Sequence, residues 1–167
     1  MRLSALADYA VRALVEIAAA GGQPLRREEI AAAQQIPPKF LGNILQQLRT
    51  AGLVKAQRGA GGGYLLTMQP NQITLADVIR AVDGPLSNVH GEAPELLAYT
   101  GSAEPLREVW VAVRASLRKI LDHVTLYDVT SNSLPGVVHE LAAEPEAWQP
   151  SAQSALSKAG SFAGQRR

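Results

Sequence analysis

The chain has no cysteine among its 167 residues. That absence excludes disulfides, a thiolate nucleophile, a thiol redox switch and any all-cysteine metal or iron–sulfur site. No cofactor is therefore expected. Histidine is scarce too: His90, His123 and His139 stand far apart and form no H-x-x-x-H pair, so no structural zinc is expected. No apolar run approaches the ~18 residues of a membrane span, and the N-terminus lacks a basic-then-apolar signal layout. A cytoplasmic protein with no membrane partner is expected. No nucleophile–base set and no paired carboxylates stand at a catalytic spacing, so the chain does not read as an enzyme.

What is present is ordinary in bulk and uneven in detail. The length suits one compact domain with an extension, large enough to bury ~70% of its unfolded surface. Hydrophobic residues make up 47% and charged residues 19%, values usual for a globular protein. Net charge is only +1, but residues 1–68 hold eight Lys and Arg against four acids, so this part carries +4 and the remainder −3. A basic N-terminal module suggests a polyanion partner, although solvated surface charge often gives the same asymmetry.

Periodicity predicts a helix over 4–20, with Leu3, Leu6, Ala7, Ala10, Val11, Leu14, Val15 and Ala18 as its apolar stripe. Ser4 caps it and Gly21-Gly22 stop it. A second helix fits Arg26 to Ala33, with Ile30 and the alanines inward. After the break Gln34-Gln35-Ile36-Pro37, a third helix fits Pro38 to Thr50. Its expected buried face is Phe40, Leu41, Ile44, Leu45 and Leu48. Lys39, Asn43, Gln46, Gln47 and Arg49 lie opposite, and Gly52 is placed as a left-handed cap. Leu53–Gln57 and Tyr64–Met68 read as short strands around Arg58-Gly59-Ala60-Gly61-Gly62-Gly63. Thr74-Leu75-Ala76-Asp77 is a capping-box variant that opens a helix through Val82, closed by Asp83-Gly84-Pro85. Residues 85–104 carry little period beyond a turn near Glu95–Ala98. Leu106 to Leu121 then forms an amphipathic helix ~25 Å long, and Thr125-Leu126-Tyr127-Asp128 opens a short final one. From about Pro145 the composition predicts a disordered tail.

Three helices followed by a glycine-tipped hairpin give a fold class that is mainly α with a small β-hairpin: a winged helix-turn-helix plus a long helix. The organisation expected is a winged module over 1–83, a loop and candidate sensor region over 84–104, the long and final helices over 105–131, and the tail over 145–167. A helix with Lys, Asn and Gln outward suits the major groove, where amides pair with adenine and cations reach guanine or phosphate. The hairpin glycines let backbone approach a phosphate, and Arg58 can enter a minor groove. A merely structural hairpin is the plainer reading of the same run. A nucleotide loop is excluded because a strand follows the glycines and no Gly-Lys-Ser/Thr is present.

Met1-Arg2-Leu3-Ser4, Tyr9-Ala10-Val11-Arg12-Ala13-Leu14, Ile36 through Val54, the Arg58–Leu66 wing, Ile73–Ile79 and Val82-Asp83-Gly84 together resemble the Rrf2 family of bacterial transcription regulators. The similarity runs in order over about residues 1–130. It implies a homodimer on a pseudo-palindromic double-stranded operator, the long helix of each subunit crossing to its partner. The resemblance places DNA contacts at Pro38, Lys39, Phe40, Gly42 and Asn43, and at Arg58 and Gly59; Gln46 and Gly61 extend the same two surfaces. Gly42 departs from the acidic or amide residue that some members use there to select bases. The dimer interface falls on Leu106, Val109, Trp110, Val113, Leu117 and Ile120.

Many Rrf2 proteins hold an iron–sulfur cluster on cysteines between the post-wing helix and the dimer helix. Here that segment, Leu86 to Pro105, has none. The sequence resembles the cluster-free branch of cysteine-metabolism repressors, which answer to a small molecule or a partner enzyme. Asp8 matches a position from which some members supply a carboxylate ligand, but without cysteine partners it reads as a surface or helix-packing residue. His90 with Glu92 reads as solvated loop rather than as a cation site. Glu92, Tyr99, Arg107 and Trp110 are the candidate effector-binding residues, beside the plainer reading of packing and solvated rim. The function expected is a dimeric, sequence-specific DNA-binding regulator of transcription, with a repressor as the first reading of its sign. The alternative is a winged-helix protein-interaction module that does not bind DNA.

Overall fold

Ser4 opens the first helix as its position requires: its hydroxyl accepts the Ala7 N–H at 2.9 Å. In a computed structural model, which describes residues 3–149, α1 runs Ala5–Ala19 and stops where Gly21 and Gly22 take φ of 61° and 89°. Helix α2 spans Arg27–Gln34, and the Glu29 carboxylate accepts the Arg26 N–H at 2.7 Å. Of its inner residues only Ile30 and Ala31 are buried, while Ala32 and Ala33 face solvent. Four consecutive residues sweep a full helical turn, so they cannot share one stripe.

Helix α3, Pro38–Thr50, buries Leu41, Ile44, Leu45 and Leu48. Phe40 does not belong to that face: it is 42% exposed. Standing one residue before Leu41, it points ~100° away from that side chain, at the edge of the stripe, and its ring rests 6.1 Å from that of Tyr9 on α1. Gly52 takes the left-handed cap conformation, with φ of 78°.

Strands β1 (Val54–Gln57) and β2 (Gly63–Leu66) pair antiparallel, in register from Val54↔Leu66 to Gln57↔Gly63. Each holds four residues where five were expected: β1 omits Leu53, and β2 begins one residue early, at Gly63, and stops before Thr67. A third element, invisible in the sequence, borders the hairpin. Leu25 exchanges two backbone hydrogen bonds with Tyr64, at 3.1 and 2.7 Å, just before α2 begins.

Helix α4 covers Leu75–Asp83 behind the Thr74–Asp77 capping box, and Gly84 (φ 80°) ends it. Residues 85–105 contain two short 3-10 turns, Pro94–Leu96 and Gly101–Ala103. Helix α5, Leu106–Leu121, leads to α6, Leu126–Thr130, whose Thr125–Asp128 cap repeats that of α4. The two capped starts lie side by side. The Leu75 N–H donates to Val124 O at 2.9 Å, and the Leu126 N–H donates to Ile73 O at 3.0 Å. The chain therefore returns to the winged module after α5, and Leu126 is fully buried in one core with Leu14, Ile30, Ile36, Leu41, Ile44, Leu45, Leu48 and Ile73.

The chain divides between Pro135 and Gly136 into two units. In the second, α7 (Gly136–Ala142) is a helix that the sequence reading did not include, and the Trp148 indole N–H donates to Ala142 O at 2.7 Å. Of the tail expected over 145–167, residues 150–167 lie outside the described residues. No helix among the described residues is long and apolar enough to cross a membrane.

Candidate nucleic-acid interface

Helix α3 presents two chemically opposite faces because its apolar residues recur at three- and four-residue steps. With the leucines and Ile44 inward, Lys39, Asn43, Gln46 and Arg49 are left exposed. Pro38 begins the helix, where the missing N–H removes no intrahelical bond. Lys39 Nζ stands 4.9 Å from the centre of the Phe40 ring, and Arg12 Cζ stands 5.5 Å from the Tyr9 ring. The Tyr9–Phe40 pair is thus an aromatic step that positions two cations at the junction of α1 and α3. Asp8 is committed to Arg12, at 3.1 Å.

Gly42 is half-buried and has an unusual neighbour. A Cβ built there would lie 3.8 Å from Arg27 Nη1. The guanidinium of α2 therefore rests beside the bare backbone of α3. Arg27 also pairs with Glu28 at 3.1 Å. The Glu28 carboxyl is held below its ordinary range by a hydrogen bond from its own backbone N–H and then by Arg27.

The wing divides the roles of its glycines. Gly59 sits at φ of 105°, a conformation that side chains disfavour. A Cβ at Gly63 would meet the Leu25 carbonyl oxygen at 2.5 Å, and one at Gly62 would run into Gln57 O. Gly62 thus lets the hairpin close on its own backbone, and Gly63 lets it lie against that of Leu25, a packing role that is the plainer of the two expectations for them. Gly61 is exposed with no atom near its Cβ position, and Arg58 beside it is exposed as well. Arg26 Nη2 donates to Ala60 O at 3.1 Å and tethers the tip to the start of α2.

Arg12, Arg26 and Arg27 join this basic surface although sequence reasoning did not select them. The signal was there: two adjacent arginines open a helix whose dipole favours acids at that end.

The remaining expected residues separate into two groups. No residue of α5 is buried among those described, and Leu106 and Val109 are 39% and 47% exposed, with Trp110, Val113, Leu117 and Ile120 half-buried. Beside them a groove of about 700 Å³ is lined by Leu3, Ile79, Pro85, Leu86, Leu117 and Ile120 among others. Glu92 is exposed in a tight turn closed onto Val89, Arg107 is exposed, and Tyr99 is half-buried. None of Glu92, Tyr99, Arg107 and Trp110 lines that groove or the smaller cavity between α4, α5 and the 85–94 loop. His90 is exposed at φ of 53°.

The profile of the Rrf2 family, described as an iron-dependent transcriptional regulator, matches residues 3–132. The residues present do not fit an iron–sulfur cluster. The sequence offers no thiolate, and among the described residues no three His, Asp or Glu side chains gather as a ligand set. A candidate HTH-type transcriptional regulator of Mycobacterium tuberculosis (strain H37Rv) is 45% identical over 161 residues, which is 96% of this chain and 99% of that protein. The HTH-type regulator CymR of Bacillus subtilis is 36% identical over 132 residues, covering 78% of this chain and 91% of its own. The solved structure of that protein, described as the global cysteine regulator, superposes with a TM-score of 0.67 at 33% identity, over 79% of this chain and 98% of the other. An IscR structure from T. potens gives 0.63 at 29% identity, over 83% and 96%. A family profile spanning most of the chain and near full-length relatives at this identity mean that the chain belongs to the Rrf2 family of helix-turn-helix transcriptional regulators.

Proposed function

We propose that the protein is a dimeric, sequence-specific repressor of transcription, cytoplasmic and free of any iron–sulfur cluster, whose effector is a small molecule or a partner enzyme. One observation carries the DNA-binding part. The exposed face of α3 is polar and cationic through Lys39, Asn43, Gln46 and Arg49, and the wing tip beside it exposes Arg58. A face built to bind protein would be more apolar and less charged. In this reading the amides of Asn43 and Gln46 meet base edges in the major groove, while Lys39, Arg58 and the backbone at Gly59 and Gly61 hold phosphates or the minor groove. Pro38 and Phe40 set the entry of α3, and Gly42 admits the duplex closely.

The exposed apolar stripe of α5 supports the dimer in this reading. An amphipathic helix with no fully buried residue, and with Leu106 and Val109 exposed, leaves part of its apolar stripe for another surface to cover. A twofold axis through that stripe would repeat the two recognition helices about one helical turn of DNA apart, ~34–36 Å.

Genome-wide mapping of bound DNA, followed by titration of the enriched sites with purified protein, tests this reading. The expected result is a pseudo-palindrome bound as a dimer far more tightly than random duplex. Equal affinity for all duplexes would remove sequence-specific regulation.

A further inference from the structure

Three guanidiniums meet at one small cavity. Arg80 from α4 and Arg114 and Arg118 from α5 line a space of about 330 Å³, closed by Pro85, Leu86, Asn88 and Ala93 of the loop. Its volume falls at the lower end of small-molecule sites, ~300–1,000 Å³. Arg114 and Arg118 are four residues apart on one helix, an arrangement that costs stability unless anions lie between them. Arg114 has no acid one turn away on its own helix, where the neighbours are Trp110, Val111, Leu117 and Arg118.

The carboxylates that answer these cations are not equivalent. Asp122 accepts from Arg80 Nη2 and, at 2.8 Å, from Arg118 Nε, and its side chain is largely covered. Burial acts to raise its pKa, but the hydrogen bonds from Arg118 and Arg80 outweigh it and hold the group below the ordinary range. Asp77 spends one oxygen on the Thr74 cap and reaches Arg80 only at 3.5 Å. Glu95 is different. It sits on the Pro94–Leu96 turn, its side chain is 53% exposed, and it pairs with Arg114, which is only 20% exposed. The least exposed of the three guanidiniums is thus neutralised by the most exposed carboxylate, carried on a loop of short turns.

We propose that this cavity binds a small dianionic metabolite, whose carboxylate or equivalent oxyanion takes the place of Glu95 on Arg114 and frees the 85–105 loop. In the protein alone, Glu95 is a tethered stand-in for the ligand. A forked guanidinium accepts one planar oxyanion in place of another with its hydrogen bonds kept, and Arg118 one turn away meets the second charge. The site differs from the one expected around Glu92, Tyr99, Arg107 and Trp110. It deepens the effector-responsive reading above and rests on it only for any consequence at DNA.

The test therefore uses the free, full-length protein. Sodium succinate and sodium sulfate are titrated against sodium chloride at matched ionic strength, followed by NMR shifts of the arginine Nε–H groups and the loop amides. Saturable shifts at Arg114 and in the loop are expected with succinate, with or without sulfate. Arg114→Gln should weaken binding roughly ten-fold or more, the loss expected for a charge-assisted pair. Glu95→Gln should instead tighten it about two- to five-fold, because an exposed competitor is removed. Lys119→Gln, on the same helix, should leave it unchanged. The Glu95 variant keeps the test open if Arg114→Gln unfolds. The proposal is overturned if neither anion saturates below about 10 mM, if chloride gives the same shifts, or if Glu95→Gln leaves affinity unaltered or lowers it. None of these outcomes bears on whether the protein binds an operator.

Discussion

Gly63→Ala is the sharpest perturbation of the wing because the structure fixes what the new methyl meets. A Cβ there would stand 2.5 Å from Leu25 O, 2.6 Å from Leu25 C and 2.9 Å from Leu25 N. All three are backbone atoms, so no side chain can swing aside. Ordinary contact begins near ~3.5 Å, so β2 and the Leu25 segment must part by up to about an ångström. Two backbone hydrogen bonds between Leu25 and Tyr64 span that gap. Losing them costs ~1 kcal/mol each, and residual strain from overpacking adds ~1–2 kcal/mol. The sum of ~3–4 kcal/mol is a large share of the ~5–15 kcal/mol that holds a domain folded. Urea melts of Gly63→Ala and Gly61→Ala measure it directly. The first midpoint should fall sharply at constant slope, whereas Gly61→Ala, which meets nothing within 4 Å, should melt within about 0.5 kcal/mol of the parent. Equal midpoints for the two variants would refute the packing role assigned to Gly63.

Arg58→Ala should weaken operator binding and lower the slope of log K against log salt by about 0.9, one phosphate's worth; fluorescence anisotropy at several salt concentrations reads it, and an unchanged slope contradicts a phosphate contact. Val113→Glu should dissociate the dimer by leaving an unpaired charge in the seam, and sedimentation velocity still showing dimer would remove α5 as the interface. Asp122→Asn should lower the melting temperature at pH 7. Because the folded pKa of Asp122 is depressed, its contribution is complete above the unfolded value near ~3.9 and fades as pH falls through the folded value. The gap between variant and parent should therefore narrow only in acid, and a gap constant down to pH 2 would contradict the pairing with Arg118 and Arg80.

Local signals were legible wherever one residue decides the backbone. Ser4, Thr74 and Thr125 cap the starts of α1, α4 and α6 as their positions predict, and Gly21, Gly52 and Gly84 follow the ends of α1, α3 and α4 in left-handed or otherwise positive-φ backbone. The face of α3 was legible except at Phe40, whose bulk suggested the core. Its helical phase places it at the edge of the stripe, and the position of Tyr9, some thirty residues earlier, shows what the ring rests on instead. The role of the wing glycines depends on Leu25, a single bridging residue too short to register as a strand. The arginine cavity was illegible for a similar reason. Arg80 and Arg114 are 34 positions apart, and their convergence depends on the return of Val124 and Leu126 to the start of α4, a tertiary pairing that no local period encodes.

That return also determines what the arginine cavity can influence. The Leu75–Val124 and Leu126–Ile73 hydrogen bonds, together with the burial of Leu126 in the core, tie the end of α5 to the winged module independently of the 85–105 loop. With them, Asp122 is brought against Arg80, and Arg80 lines a second cavity with Asn43, Gln46, Gln47 and Thr50 of α3. One guanidinium thus borders both the candidate anion site and the flank of the recognition helix. An anion that drew Arg118 away from Asp122 would leave that carboxylate to Arg80 alone, a coupling through one shared group rather than a chain of contacts. Linkage then sets the size of any effect on DNA. The anion can weaken operator binding only by the factor by which the operator weakens the anion. A ligand held equally well in both states would fill the cavity and leave the operator occupied.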